Sequence, residues 1–317
     1  MDFKKKKEKQ LNEKIVINYF KDKKTNKKQP IICYYEDNKI RLLDTKQKLK
    51  HEINITKSEL VRKGELAEDL TQKEKDLSFQ INEGKDKYVF IFDKFEDFNN
   101  WITQLGLMMK TVGTYGYPLR VACLKSAWRY PIPFYRSIQY IRYNGGLETE
   151  GIFRVSPNLE EKQFVLKILN SDSNSGEIDF QNIRIASGCC KDYLMSLDDP
   201  IIPCSEYDKF LMCSEESDQK KREKNLKKLV EHLPVINQNC LWYLIDLLYL
   251  IHLNREKTLM SASNLAVVFT PTCVRNPLSK DPMKSMAEVK VLQVGFETLI
   301  SSYLKIFKNI KNDNENI

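Results

Sequence analysis

The sequence predicts two domains, a small antiparallel β-domain closed by one helix and then an all-helical domain. Three observations predict it. Short β-branched and aromatic runs alternate with polar turns before residue 110, apolar residues recur at helical spacing from Gly116 onward, and 317 residues are about twice the length of an ordinary domain. An apolar content of 42% supplies material for two cores, and 30% charged residues keep the surface solvated, so a globally disordered chain is excluded.

The elements follow in order. The runs IVINYF (15–20), PIICYYE (30–36), KIRLL (39–43), HEINI (51–55), LSFQI (77–81) and YVFIF (88–92) have strand composition and strand spacing. Asp37-Asn38 suits a tight hairpin and Glu83-Gly84 another. FEDFNNWITQLGLMMK then places Phe95, Phe98, Trp101, Ile102, Leu105 and Met109 at spacings of three and four, an amphipathic helix facing the sheet. In the second block IPFYRSIQYIRY (132–143) is a helix stopped by Asn144-Gly145-Gly146, and a second starts at Ser156-Pro157 with a hydroxyl cap and Pro at the first helical position. Further helices are expected at 183–197, 219–232, 237–254, 261–269 and 286–308. LWYLIDLLYLI (241–251) falls far short of the ~20 residues of a membrane span and carries Asp246, so it reads as a buried helix.

Charge is unevenly spread. Residues 1–28 carry +7 of the total +8, which points to an anionic partner, lipid headgroups or nucleic acid, or to a solvated lysine-rich tail. The basic residues there are lysines without interleaved arginines and no nucleic-acid motif accompanies them, so nucleic acid is not the expected partner. No apolar run follows MDFKKKKEKQ, and a cytoplasmic protein recruited at most peripherally to membranes is expected. The eight cysteines then read as thiols, and with no CxxC pair and only His51, His232 and His252 a zinc site is not expected. No nucleophile elbow, HExxH or GxxxxGK[ST] occurs. The chain therefore reads as neither an enzyme in its own right nor a nucleotide binder, with no cofactor of its own.

Two features of the helical block carry chemistry. In GGLETEGIFRVSP the glycines allow close backbone approach, Ile152 and Phe153 can anchor the loop, and Arg154 projects from a short support suited to an anionic ligand or to a plain surface ion pair. On the helix at 183–197, Ala186, Cys189, Cys190, Tyr193, Leu194 and Leu197 share one face, while Arg184, Ser187, Lys191 and Met195 share the other. An exposed Met195 beside a lysine suggests a contact surface.

Two resemblances follow from these residues. Six or seven strands closed by a helix with a central Trp resemble the pleckstrin homology (PH) fold, above all in KYVFIFDKFEDFNNWITQL with Trp101. That resemblance implies a β-barrel capped by the helix. It also implies binding of anionic phospholipids, phosphoinositides among them, through Lys21, Lys23, Lys24, Lys27 and Lys28 on the first hairpin. Strand PIICYYE lacks the basic residues that lipid-binding members usually carry, so electrostatic membrane attraction is expected ahead of headgroup specificity.

The second block is similar to the RhoGAP domain, the GTPase-activating domain for Rho-type GTPases. The similarity runs through GYPL (116–119), IPFYRSIQYI, GGLETEGIFRVSP, KDYLMSLDDPIIP (191–203), LPVINQNCLWYL (233–244) and MSASNLAVVFTPT (260–272). It implies an all-helical bundle that binds a Rho/Rac-family small GTPase in its GTP-bound form and accelerates hydrolysis with an arginine finger, Arg154. It further implies that Lys191 supports the finger and the GTPase contact and that Asn264 and Thr272 face the partner. Met195 stands where the family usually has a second GTPase-binding arginine, Thr272 where many members have Asn and Thr270 where most have Gly. Met195 keeps open a second reading, a RhoGAP-like scaffold that binds a GTPase without accelerating hydrolysis. The expected organisation is a basic tail (1–10), a PH-like domain (11–110), a RhoGAP domain (115–309) and a polar tail (310–317).

Overall fold

The computed structural model describes residues 11–21, 28–62, 70–126, 129–171, 179–275, 282–308 and 310. The chain divides into two compact units, Met1–Val121 and Ala122–Ile317.

The first unit contains β1 (Ile15–Lys21), β2 (Gln29–Glu36), β3 (Lys39–Leu43), β4 (Leu49–Asn54), β5 (Ser58–Val61), α1 (Gln72–Asp76), β6 (Ser78–Glu83), β7 (Asp86–Ile91), α2 (Phe95–Met108) and β8 (Lys110–Val112). The strands form one sheet in the order β4-β3-β2-β1-β7-β6-β5-β8. Two antiparallel meanders, β1 to β4 and β5 to β7, are joined by the β1–β7 ladder. The β2–β3 hairpin turns on Asp37 and Asn38 at φ 51° and 60°, the left-handed pair that a tight turn between twisted strands requires and that Asp and Asn tolerate.

Alternation along the strands sends Ile31, Cys33, Ile40, Leu42, Ile53 and Ile81 inward, where α2 lays Phe98, Trp101, Ile102 and Leu105 over them. Phe92 meets Phe98 edge-on at 5.9 Å and Trp101 at 6.2 Å. Trp101 is thus a core residue. Arg62 completes this core from the side, its guanidinium donating to the Lys75, Asp76 and Ser78 carbonyls while it lies 5.0 Å from the Phe98 ring. Its cationic plane ties down the end of α1, a partnership that strand patterning gives no hint of.

The expected closed barrel is corrected. Among the described residues β4 and β8 are the outer strands and no ladder joins them, because the free edge of β5 is taken by β8 in parallel. The Tyr117 hydroxyl reaches the Leu60 carbonyl at 2.8 Å and the Val112 carbonyl at 2.9 Å, and burial pushes its pKa up. These bonds tie Tyr117 to β5 and β8.

α3 (Leu119–Ser126) spans the division. The second unit continues with α4 (Ile132–Tyr143), α5 (Leu159–Ser171), α6 (Ile183–Ser196), α7 (Tyr207–Glu215), α8 (Gln219–His232), α9 (Val235–Leu253), α10 (Arg255–Thr258), α11 (Ala262–Cys273), α12 (Pro282–Ser301) and α13 (Tyr303–Ile306). α9 is the spine. Cys240, Leu241, Leu244, Ile245, Leu247, Leu248 and Ile251 are all fully buried, and a helix apolar on most sides is one surrounded by others. Around it α6 packs on α4, α11 packs on both α6 and α12, and α12 packs on α7. α12 and α7 approach so closely at Gly295 that a Cβ there would lie 2.0 Å from Ser214 Oγ.

Two local expectations change. The helix expected to start at Ser156-Pro157 begins at Leu159, with Asn158 Oδ1 accepting from the Glu160 and Glu161 amides; Asn caps as well as Ser and its two acceptor bonds decide the start. Ser187, expected on the outer face of α6, is buried and donates to the Arg184 carbonyl at 2.8 Å. No helix among the described residues is long and apolar enough to cross a membrane.

Candidate functional site

The loop between α4 and α5 is built to turn one side chain outward. It leaves α4 through Gly145 at φ 85° and turns again at Gly151 (φ 61°) and Phe153 (φ 65°). Phe153 is the informative one, because a left-handed phenylalanine is strained and persists only where its surroundings over-determine it. Three bonds do so. The Gly151 amide donates to the Thr258 carbonyl at 2.7 Å, the Phe153 ring packs edge-on to Phe269 at 4.8 Å, and Lys191 Nζ donates to the Phe153 carbonyl at 2.6 Å. α10, α11 and α6 therefore each hold one point of the loop. With Ile152 and Phe153 buried, the next residue, Arg154, is exposed. Its backbone amide bonds the Gly151 carbonyl at 3.0 Å. A Cβ at Gly151 would sit 3.0 Å from Val155 Cγ2 and 3.4 Å from Arg154 Nη2, so the guanidinium lies back over a glycine whose left-handed backbone and close neighbours disfavour a side chain.

Lys191 is half-buried, and burial holds its pKa below the usual lysine range. Its ammonium bonds the loop backbone one residue before Arg154, so it acts on the arginine by fixing its support. Met195, one turn further along α6, is 51% exposed, as its place opposite the buried face predicts. On α11, Asn264 is exposed and donates to the carbonyl of Leu259 at 3.1 Å. Val267 and Pro271 continue the same outer stripe, both exposed.

Thr272 does not belong to this surface. It is buried at 3% exposure, and its hydroxyl turns back to the Val268 carbonyl at 3.4 Å, so the expected partner contact is corrected to a core position. One residue along a helix from an exposed Pro271 rotates a side chain by about 100°, enough to carry it inside. Of the five lysines expected at a lipid site, Lys23, Lys24 and Lys27 and the side chain of Lys21 lie outside the described residues. Lys28 is bonded to Glu74, whose pKa it lowers.

Sequence reasoning missed Arg275. It follows α11, and its guanidinium donates to the Met195 carbonyl at 2.9 Å and to the Leu197 carbonyl, while Nη1 lies 3.3 Å from Met195 Sδ. No spacing rule links positions 80 residues apart. The face thus combines two arginines and a lysine with exposed Val155, Met195, Val267 and Pro271. An open groove of about 980 Å³ in this unit is lined by Tyr135, Arg136, Tyr140 and Tyr143 and by no residue of that face. Arg154 therefore stands on a surface suited to a macromolecule.

His252 steadies the turn beneath Asn264. Its Nδ1 accepts from the Ala262 amide at 3.0 Å, which requires an unprotonated nitrogen, and burial followed by the nearby Arg255 charge lowers its pKa from 6.5. The folded chain thus resists a proton that the unfolded chain accepts. This stability is present above pH 6.5 and is lost as pH falls below it toward the folded pKa. Urea midpoints should fall with pH in that window, and His252→Gln, which keeps an acceptor without titrating, should flatten the decline.

The second unit is a helical bundle that displays a loop-borne arginine, and comparison places it in a family. Residues 131–278 match the model of the RhoGAP domain, and the chain carries such a domain. N-chimaerin of Rattus norvegicus is 30% identical over 160 residues, covering 50% of this chain and 48% of that one. Unconventional myosin-IXa of Homo sapiens is 28% identical over 178 residues, 56% of this chain and 7% of that one. The crystal structure of human Rho GTPase activating protein 15 superposes with a TM-score of 0.58 at 27% identity, covering 62% of this chain and 92% of that one. The BH domain of GRAF, the GTPase regulator associated with focal adhesion kinase, gives 0.51 at 25%, covering 56% and 93%. The chain spans about half or less of the length of these curated relatives.

Proposed function

We propose that the protein activates GTP hydrolysis by a Rho/Rac-family small GTPase, with Arg154 acting in trans. The observation that carries this is the exposed Arg154 on a loop held at three points, one of them the bond from Lys191 to the Phe153 carbonyl. Charge accumulates on the γ-phosphoryl oxygens as the bond to the leaving phosphate breaks. A guanidinium offers permanent charge and forked donors there, where an ammonium offers a single point. Lys191 keeps the loop in place, so little ordering is left to be done at the moment of reaction. Nucleotide, magnesium and attacking water belong to the partner in this reading.

The lysine-rich segment at 21–28 and the basic N-terminus would add electrostatic attraction to anionic membrane, where a lipid-anchored GTPase is concentrated. The PH-like character of the first unit and its phosphoinositide binding belong to this proposal. A second reading, a scaffold that binds without accelerating, is favoured by one observation, the exposed Met195 where a cation would strengthen a GTPase contact. Single-turnover hydrolysis by a panel of Rho-family GTPases, with binding measured alongside, separates the two. Acceleration of at least one member is the expected result; binding with no acceleration of any would leave the scaffold.

A further inference from the structure

Lys191 spends its ammonium on the Phe153 carbonyl, and Met195, one turn away, is apolar. The remaining cation on that side of α6, Arg184, stands at the start of the helix, about three turns before Met195, and bonds the Glu150 carbonyl, so α6 places no free cation at its own end beside Met195. Arg275 alters that. It arrives from the end of α11 and crosses to the end of α6, where its guanidinium takes the Met195 and Leu197 carbonyls and touches the Met195 thioether. Those partners are carbonyl oxygens and a sulfur. Among the described residues no carboxylate lies within ion-pair distance of Arg275; the half-buried Asp199 feels its charge without bonding to it, and the guanidinium stays partly exposed.

We propose that Arg275 is a further partner-binding residue, presenting to an acidic side chain of the GTPase the cation that Met195 does not supply. The inference rests on the GTPase-activating reading and deepens it. Two features fit Arg275 for the task. Its guanidinium has five N–H donors, so carbonyl bonds that fix its position leave others directed outward. Held by the end of one helix while carried by another, it loses little freedom on meeting the partner. A cation at the rim of a protein contact acts mainly on encounter rate and its salt dependence, whereas Arg154 acts on the chemical step.

The test uses the full chain with Rho-family GTPases loaded with GTP for kinetics and with a non-hydrolysable GTP analogue for binding. Arg275→Ala should weaken binding and raise KM about tenfold, with a shallower salt dependence of association, and the loss should fall on KM and not on kcat. Arg275→Lys should retain the salt dependence while losing part of the affinity. Because Arg275→Ala also frees the carbonyls at the end of α6, Met195→Arg is placed in the Arg275→Ala background; it returns a cation to the same spot and should restore affinity and salt slope. Unchanged KM and salt slope in Arg275→Ala would overturn the proposal. So would a loss that tracks a lowered melting temperature and is not restored by Met195→Arg, since Arg275 would then serve only to cap α6. If wild type binds a GTPase without accelerating it, the activation reading fails while the binding measurements still decide Arg275. If it binds none, both fall.

Discussion

Replacing Arg154 with alanine is expected to remove nearly all acceleration of GTP hydrolysis while leaving the protein folded and still able to bind its GTPase. An arginine supplied in trans is worth about 10³ to 10⁵ in rate to small GTPases in general, or roughly 4–7 kcal/mol of barrier. The fold should be unaffected because none of the three contacts that hold the loop involves the Arg154 side chain. The Gly151 amide bond to Thr258, the Phe153 ring on Phe269 and the Lys191 bond to the Phe153 carbonyl all remain. Arg154→Lys keeps the charge and loses the fork, so it should recover only a small part of the rate. Single-turnover hydrolysis, binding to the analogue-loaded GTPase and melting temperature, measured on the same preparations, give the answer. Retention of wild-type acceleration by Arg154→Ala would remove Arg154 from the mechanism; a fall in melting temperature matching the loss of rate would make it structural.

What could be read from sequence and what could not divide along a physical line. Elements whose identity rests on local periodicity were legible: α6 and its buried face from Ala186 to Leu197, α2 with Trp101 inward, and the hairpin at Asp37-Asn38. The outward turn of Arg154 was legible for the same reason, since Ile152 and Phe153 precede it and apolar residues seek the core. Pairings between distant residues were not. The Arg275–Met195 contact crosses 80 residues and the Lys191–Phe153 bond crosses 38; no residue pattern joins such positions, and only the family resemblance tied Lys191 to the finger loop. Barrel closure failed as an expectation because it depends on which strand takes the edge of β5, and the three-residue β8 that takes it has no strand signature of its own. Thr272 was misplaced because motif resemblance names a segment, whereas exposure is set residue by residue around a helix.

The largest expected effect on stability lies at the one acid in the apolar run of α9. Asp246 in LWYLIDLLYLI was legible as an anomaly, and its partner was not: Arg142 on α4, whose Nη2 lies 2.6 Å from Asp246 Oδ2 with side-chain exposures of 16% and 19%. The same guanidinium sits 5.4 Å from the centre of the Tyr243 ring, and the nearby Asp246 carboxylate helps to push the pKa of the Tyr303 hydroxyl up behind the larger effect of burial. Asp246 thereby links α9 to α4. Asp246→Ala should destabilise the helical unit by about 3–5 kcal/mol, because it strands a mostly buried guanidinium and leaves a void. Urea unfolding followed by helical circular dichroism measures this. Replacing both partners with apolar residues, Arg142→Met with Asp246→Leu, should cost much less than Asp246→Ala, since a buried pair and a packed apolar pair of similar volume are close in energy and the main penalty comes from the unpaired charge. Equal losses in the single and double variants would mean that packing volume at this crossing, and not charge pairing, sets its stability. Arg142 lies one residue before the end of α4, from which the Arg154 loop departs. A single variant that loosens the pair should therefore also release the near end of that loop, raising KM at temperatures where the bundle is still folded.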